Sequence, residues 1–125
     1  MLGDNLENLA LTGKASVNGL GNGLGNGLAN SLTGNSGANY LDGGAELDTL
    51  AGGGGNDTYA LASSTLINGG YTWDTVTEGA GAGRGTVYAS ADVGRYTYQL
   101  TANVEDLVAT GVSIFRLWGN ELDNS

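Results

Sequence analysis

The chain has 125 residues, 24 of them Gly and none Pro, Cys or His, and a formal net charge of −9. Without Cys or His it forms no disulfide, no zinc site of the Cys/His kind and no His-based acid–base pair. Its four basic residues argue against a nucleic-acid partner, which needs a basic patch. Hydrophobic residues make up 40% and charged residues only 14%, which is the reverse of a disordered composition. One domain is expected, with a thin core built from Leu, Val and Ala ladders.

The chain opens on Met1-Leu-Gly-Asp-Asn-Leu-Glu, which lacks the basic and apolar regions of a secretory leader. No apolar run approaches the roughly 20 residues that span a bilayer, so membrane insertion is not expected. Gly19 to Leu28 then repeats Gly-Asn-Gly-Leu. From Gly25 to Ala60 the chain falls into four blocks of nine. They are Gly25-Asn-Gly-Leu-Ala-Asn30-Ser-Leu32-Thr, Gly34-Asn-Ser-Gly37-Ala-Asn39-Tyr-Leu41-Asp, Gly43-Gly44-Ala-Glu-Leu-Asp48-Thr-Leu50-Ala and Gly52-Gly53-Gly-Gly55-Asn-Asp57-Thr-Tyr59-Ala. Gly opens each block, Asn or Asp stands sixth, and a large apolar residue stands eighth.

These columns resemble the glycine-rich nonapeptide G-G-x-G-x-D-x-U-x of the calcium-binding repeats-in-toxin (RTX) proteins of bacteria. The third and fourth blocks match best. The resemblance implies an all-β parallel β-roll, or β-solenoid, in which Gly-rich turns alternate with short strands that point one side chain inward. Two blocks make one coil of eighteen residues, stacking Leu32 over Leu50, Leu41 over Tyr59, Asn30 with Asp48 and Asn39 with Asp57. A cation between coils meets turn carbonyls and one side-chain oxygen from each coil, a flexible all-oxygen cage that suits Ca2+. The implied ligands are Asn30, Asn39, Asp48 and Asp57, with turn positions Gly43, Ala45, Gly52 and Gly54. The net charge fits this, since bound cations offset repulsion among the turns.

Beyond Ala60 the pattern loosens. Asp57 to Leu61 leaves the last block as a strand, and Ser63 to Tyr71 is a polar stretch containing the turn signal Asn68-Gly69-Gly70. Strands are expected at Asp74–Glu78, Gly85–Ser90, Tyr96–Leu100, Val104–Leu107 and Ile114–Trp118, with a loop of small residues from Glu78 to Gly85. The opening segment Asn5–Gly13 returns 98 residues later as Asn103–Gly111, and Leu24–Ser31 returns 94 residues later as Trp118–Ser125. The chain therefore looks like a single module, 1–125, with a nonapeptide β-roll at 25–60 and less regular coils at 61–125. This order of motifs resembles the long modules of large bacterial RTX proteins. Gly85 and Glu46 depart from it, standing where Asp and a turn Gly are usual.

Duller readings compete. Asn-Gly pairs at Asn18, Asn22, Asn26 and Asn68 are also hairpin signals, which would give an antiparallel meander, but the constant phase of nine favours the coil. Sixth-position Asn and Asp could merely close Asx-turns. Gly52 to Gly55 is no phosphate loop, because no Lys-Ser or Lys-Thr follows. Glu105 with Asp106 is read as solvated strand residues rather than a glycosidase pair. Tyr71, Trp73, Tyr88, Tyr96, Tyr98 and Trp118 are read as packing residues rather than a sugar platform, and the Thr residues as out of phase with the coil.

The expected function is a non-enzymatic, calcium-binding structural module of an extracellular bacterial protein, serving as stalk, adhesin or head-to-tail assembly unit. Its partners would be further copies or neighbouring modules. The resemblance implies cell-surface or extracellular placement through type I secretion. The alternative is a module of a secreted polysaccharide-active enzyme.

Overall fold

The computed structural model describes residues 6–20, 28–65, 71–91, 95–111 and 114–125. The opening segment Met1–Glu7, the Gly-Asn-Gly-Leu run and the turn signal at Asn68 fall wholly or largely outside these. All regular elements among the described residues are strands: β1 (Asn8–Ala10), β2 (Asn18–Leu20), β3 (Ser31–Thr33), β4 (Tyr40–Asp42), β5 (Thr49–Ala51), β6 (Thr58–Thr65), β7 (Tyr71–Trp73), β8 (Thr75–Thr77), β9 (Thr86–Ala91), β10 (Arg95–Gln99), β11 (Asp106–Gly111) and β12 (Ile114–Trp118).

The chain winds as a parallel β-solenoid of about four turns with two walls. One wall is β1-β3-β5-β8, and the other is β11-β9-β6-β4-β2. The register is the one the nine-residue phase demands: Leu9, Leu32, Leu50 and Val76 align on the first wall, and Leu41, Tyr59, Val87 and Leu107 on the second. Period-2 alternation in three-residue strands turns the middle side chain inward and leaves its neighbours facing out. Leu32, Leu41, Leu50, Tyr59 and Val87 are accordingly sealed from solvent. One backbone bond recurs in coil after coil. The amide that opens each strand donates to the sixth-position carbonyl of the preceding coil: Thr49 to Asn30, Thr58 to Asn39, Thr75 to Asp48 and Thr86 to Asp57.

Four departures from the sequence reading stand out. The polar stretch starting at Ser63 begins as strand. β6 runs on to Thr65 and pairs antiparallel with β7, a hairpin set into an otherwise parallel coil. Val104 does not open a strand but is a buried core residue ahead of β11, which starts at Asp106. Hydroxyl residues do share a phase: Ser31, Thr49 and Thr75 form one outer row of the first wall. The hairpin hides that phase from a reader of the sequence, because it makes the third coil longer. Lastly, β10 and β12 form a separate two-stranded parallel sheet. Trp73 ties it to the coil, donating from Nε1 to the Thr97 carbonyl and meeting Tyr98 edge-on with ring centroids 5.5 Å apart.

Candidate metal centre

The sixth-position side chains stack into two columns, one at each end of the walls. In the first, the Asn30 amide donates to Asp48 Oδ1 at 2.6 Å, and the Asp48 amide donates to Asp74 Oδ1 at 3.0 Å. In the second, the Asn39 amide donates to Asp57 Oδ1 at 2.9 Å. Each carboxylate therefore spends one oxygen on the amide of a neighbouring coil. The other oxygen of Asp48 and of Asp57, Oδ2, is buried with no hydrogen-bond partner, in residues only 2% and 1% exposed.

The opening Gly of the third and fourth blocks makes room for this carboxylate. A Cβ on Gly43 would collide with Asp48 Oδ2, and one on Gly52 with Asp57 Oδ2 and the Tyr59 hydroxyl. Left-handed backbone falls elsewhere in the turn, at the second and fourth positions: Gly44 and Gly53, then Glu46 and Gly55. Glu46 holds φ 72° despite its Cβ, a conformation that costs a side chain roughly 1–2 kcal/mol. Glu46→Gly removes that strain at the expense of unfolded-state entropy of about 0.5–1 kcal/mol. The metal-free variant is expected to melt at or slightly above the parent temperature, and a clear fall in a thermal scan would contradict the strain.

Electrostatics point the same way. Burial pushes the Asp48 carboxyl above the usual carboxylate range, with Asp42 and Glu46 adding to the shift, and burial does the same to Asp57. A buried ionised carboxylate lacking a partner is costly, and the usual remedies are a cation or a proton. Among the described residues, basic side chains do not supply the cation here. The Arg84 guanidinium grips Asp106 at the rim, 2.5 and 2.6 Å to its two oxygens, and holds that carboxyl below the usual range.

Of the remaining predicted positions, Gly43 and Gly52 are buried behind the carboxylates, Ala45 is exposed on its turn, and the Gly54 amide donates to the Asn35 carbonyl at 2.8 Å. Asn39 behaves differently from the acids. Its Oδ1 accepts from the Asn35 amide, and its Nδ2 donates to the Val17 carbonyl and to Asn35 Oδ1. Asn35 Nδ2 reaches back to the Thr12 and Ala15 carbonyls of the preceding coil. Amide hydrogens here couple two stacked turns where an acidic turn would offer oxygen alone. The same network recurs at Asn120 and Asn124, with Asn120 Nδ2 on the Thr101 and Val104 carbonyls and the Asn120 amide on Asn124 Oδ1.

Two acidic residues that the sequence reading did not place in the site belong to these columns. Asp74 is the third member of the first column, and the triplet Asp-Thr-apolar at 48, 57 and 74 is the signal that finds it. Glu78, read only as a strand end, is buried beside Asp57 and Tyr59. Burial, with the Asp57 charge next, pushes its carboxyl up to about 7. Glu105 and Asp106 have separate duties: Glu105 Oε2 accepts from the Gly85 amide at 2.8 Å, while Asp106 takes Arg84.

Residues 24–59 match the family described as RTX calcium-binding nonapeptide repeat, in four copies. That stretch is an RTX-type β-roll, and calcium is the cofactor of such repeats. Comparison with the curated proteins and with the solved structures gives no match. The donor set fits the ion: carboxylate and carbonyl oxygens on adjustable turns accept a large hard cation with variable geometry.

Proposed function

We propose that the chain is a calcium-stiffened structural module of an extracellular bacterial protein, working as a stalk or adhesin segment. The observation that carries this reading is the pair of buried, unpartnered oxygens, Asp48 Oδ2 and Asp57 Oδ2, inside repeats of a calcium-binding family. Asp48 and Asp57 would supply the charged ligands, with carbonyls from Gly43, Ala45, Gly52 and Gly54 completing the shell. Asn30 and Asn39 would act mainly as neutral neighbours, Asn39 least of all because its amide already bridges two coils. Binding between coils ties consecutive turns together, so calcium would raise stiffness and stability rather than expose a site. Secretion of RTX-type proteins supports the extracellular placement.

Among the described residues the coil edges at β1 and β2 carry no further strand, and beyond β11 the last residue, Ser125, accepts from the Leu107 amide and donates to the Glu105 carbonyl. Open edges of this kind support stacking against further coils of a longer chain or of a second copy. The enzyme alternative finds little footing. Glu105 and Asp106 are committed to different partners, and of the aromatics Tyr98 is buried while Trp118 lies exposed on β12.

A calorimetric calcium titration of the metal-free chain, followed by circular dichroism and light scattering, tests the reading. Saturable binding with a rise in melting temperature is expected, along with growth in particle size if copies stack. Absence of both heat and stabilisation would overturn calcium binding, and a size that never changes would remove stacking between copies.

A further inference from the structure

The second column contains a position where the repeat pattern is inverted. β6 and β9 pair Thr58 with Thr86, so Gly85 stacks on Asp57 in the sixth-position column. β5 and β8 pair Ala51 with Thr77, so Glu78 stacks on the opening Gly52. In the ordinary turn the first residue is Gly and the sixth carries the carboxylate. In the turn 78–85 the first residue carries the carboxylate and the Gly stands in the sixth column.

The side chain makes good the exchange. A Cβ on Gly85 would collide with Glu78 Oε2, just as a Cβ on Gly43 would collide with Asp48 Oδ2. Glu78 reaches across its turn into the volume that a sixth-position carboxylate fills elsewhere. It is 5% exposed, its Oε2 takes a hydrogen bond from the Tyr59 hydroxyl at 3.3 Å, and its Oε1 is buried without a partner. Asp57 Oδ2, on the turn below, is likewise buried and unpartnered. Carried by two stacked turns, the Asp57 and Glu78 carboxylates repel one another when both are ionised.

We propose that Glu78 replaces the missing sixth-position carboxylate of this coil and, with Asp57, holds a calcium ion between turns 52–57 and 78–85. This rests on the calcium reading of the repeats and extends it past their matched end at residue 59. The longer Glu arm compensates for the Gly85 backbone, so the column stays metal-competent where its motif is lost.

The test is calorimetric calcium stoichiometry of the full chain, with Tb3+ luminescence excited through tyrosine as a local probe. Glu78→Gln keeps the shape and the Tyr59 contact. It should bind one ion fewer than the parent and lose the part of the Tb3+ emission that Tyr59→Phe also removes. Asp48→Asn, which acts on the other column, should leave that part intact. The exchange variant Glu78→Gly with Gly85→Asp restores the ordinary order and should recover the parent stoichiometry. A Glu78→Gln protein with unchanged stoichiometry and emission overturns the proposal. If that variant does not fold, a folded exchange variant binding fewer ions than the parent overturns it. A parent that binds no calcium would instead bring down the calcium reading itself, a separate and recognisable outcome.

Discussion

Replacing Asp48 and Asp57 together by Asn should uncouple the fold from calcium while leaving it intact. Asn keeps Oδ1 as the acceptor for the Asn30 and Asn39 amides, so neither amide is orphaned, whereas Ala would strand two buried N–H groups at about 1–3 kcal/mol each. What disappears is the charge that burial disfavours. In the absence of metal the variant should therefore melt no lower than the parent. In calcium the order should reverse. An ion held at 100 times its dissociation constant contributes about 2.7 kcal/mol per site. Two lost sites at roughly 3–6 °C per kcal/mol in a domain of this size amount to a fall of about 15 °C or more. Thermal scans of both proteins with calcium and with a chelator give the four melting temperatures. An equal calcium-induced rise in both proteins would remove Asp48 and Asp57 from the ligand shell.

Much of the roll was legible because two periodicities coincide in it. A side chain alternates with period 2 inside each strand, and the block of nine brings the next inward residue to the opposite wall, so Leu32, Leu41, Leu50 and Tyr59 could be placed by counting. The count fails once a loop changes length. Asp48 takes its amide partner from 18 residues earlier and gives its own amide to an acid 26 residues later, because the β6–β7 hairpin is inserted in that coil. Asp74 and the Ser31, Thr49, Thr75 row were missed for that reason. Glu78 was missed for another. A column of residue types records where a side chain is attached, and Glu78 is attached at one position and delivers its carboxylate at another. Val104 shows a third limit: an apolar residue can fill the roll from a turn as well as from a strand.

The core also sets how much damage the roll tolerates. Leu50→Ala is expected to cost about 2–5 kcal/mol, the usual range for truncating a buried Leu. Leu50 is fully buried between Leu32 and Val76 on the first wall. Both neighbours are held by ladder hydrogen bonds and cannot collapse into the gap without shifting a whole coil, which places the cost in the upper part of that range. A single domain has only about 5–15 kcal/mol to lose, so the metal-free variant should unfold at a much lower urea midpoint. Leu47→Ala, three residues earlier but 38% exposed on the turn, serves as the control and should move the midpoint little. Leu50 also lies two residues beyond Asp48, on the strand whose opening amide ties Thr49 to Asn30. The cavity should therefore loosen the carboxylate and weaken calcium binding, while saturating calcium recovers part of the lost midpoint by mass action. Paired urea titrations with calcium and with chelator separate these effects. A Leu50→Ala protein as stable as the parent, beside a destabilised Leu47→Ala, would mean that the inward and outward positions of the nonapeptide had been exchanged.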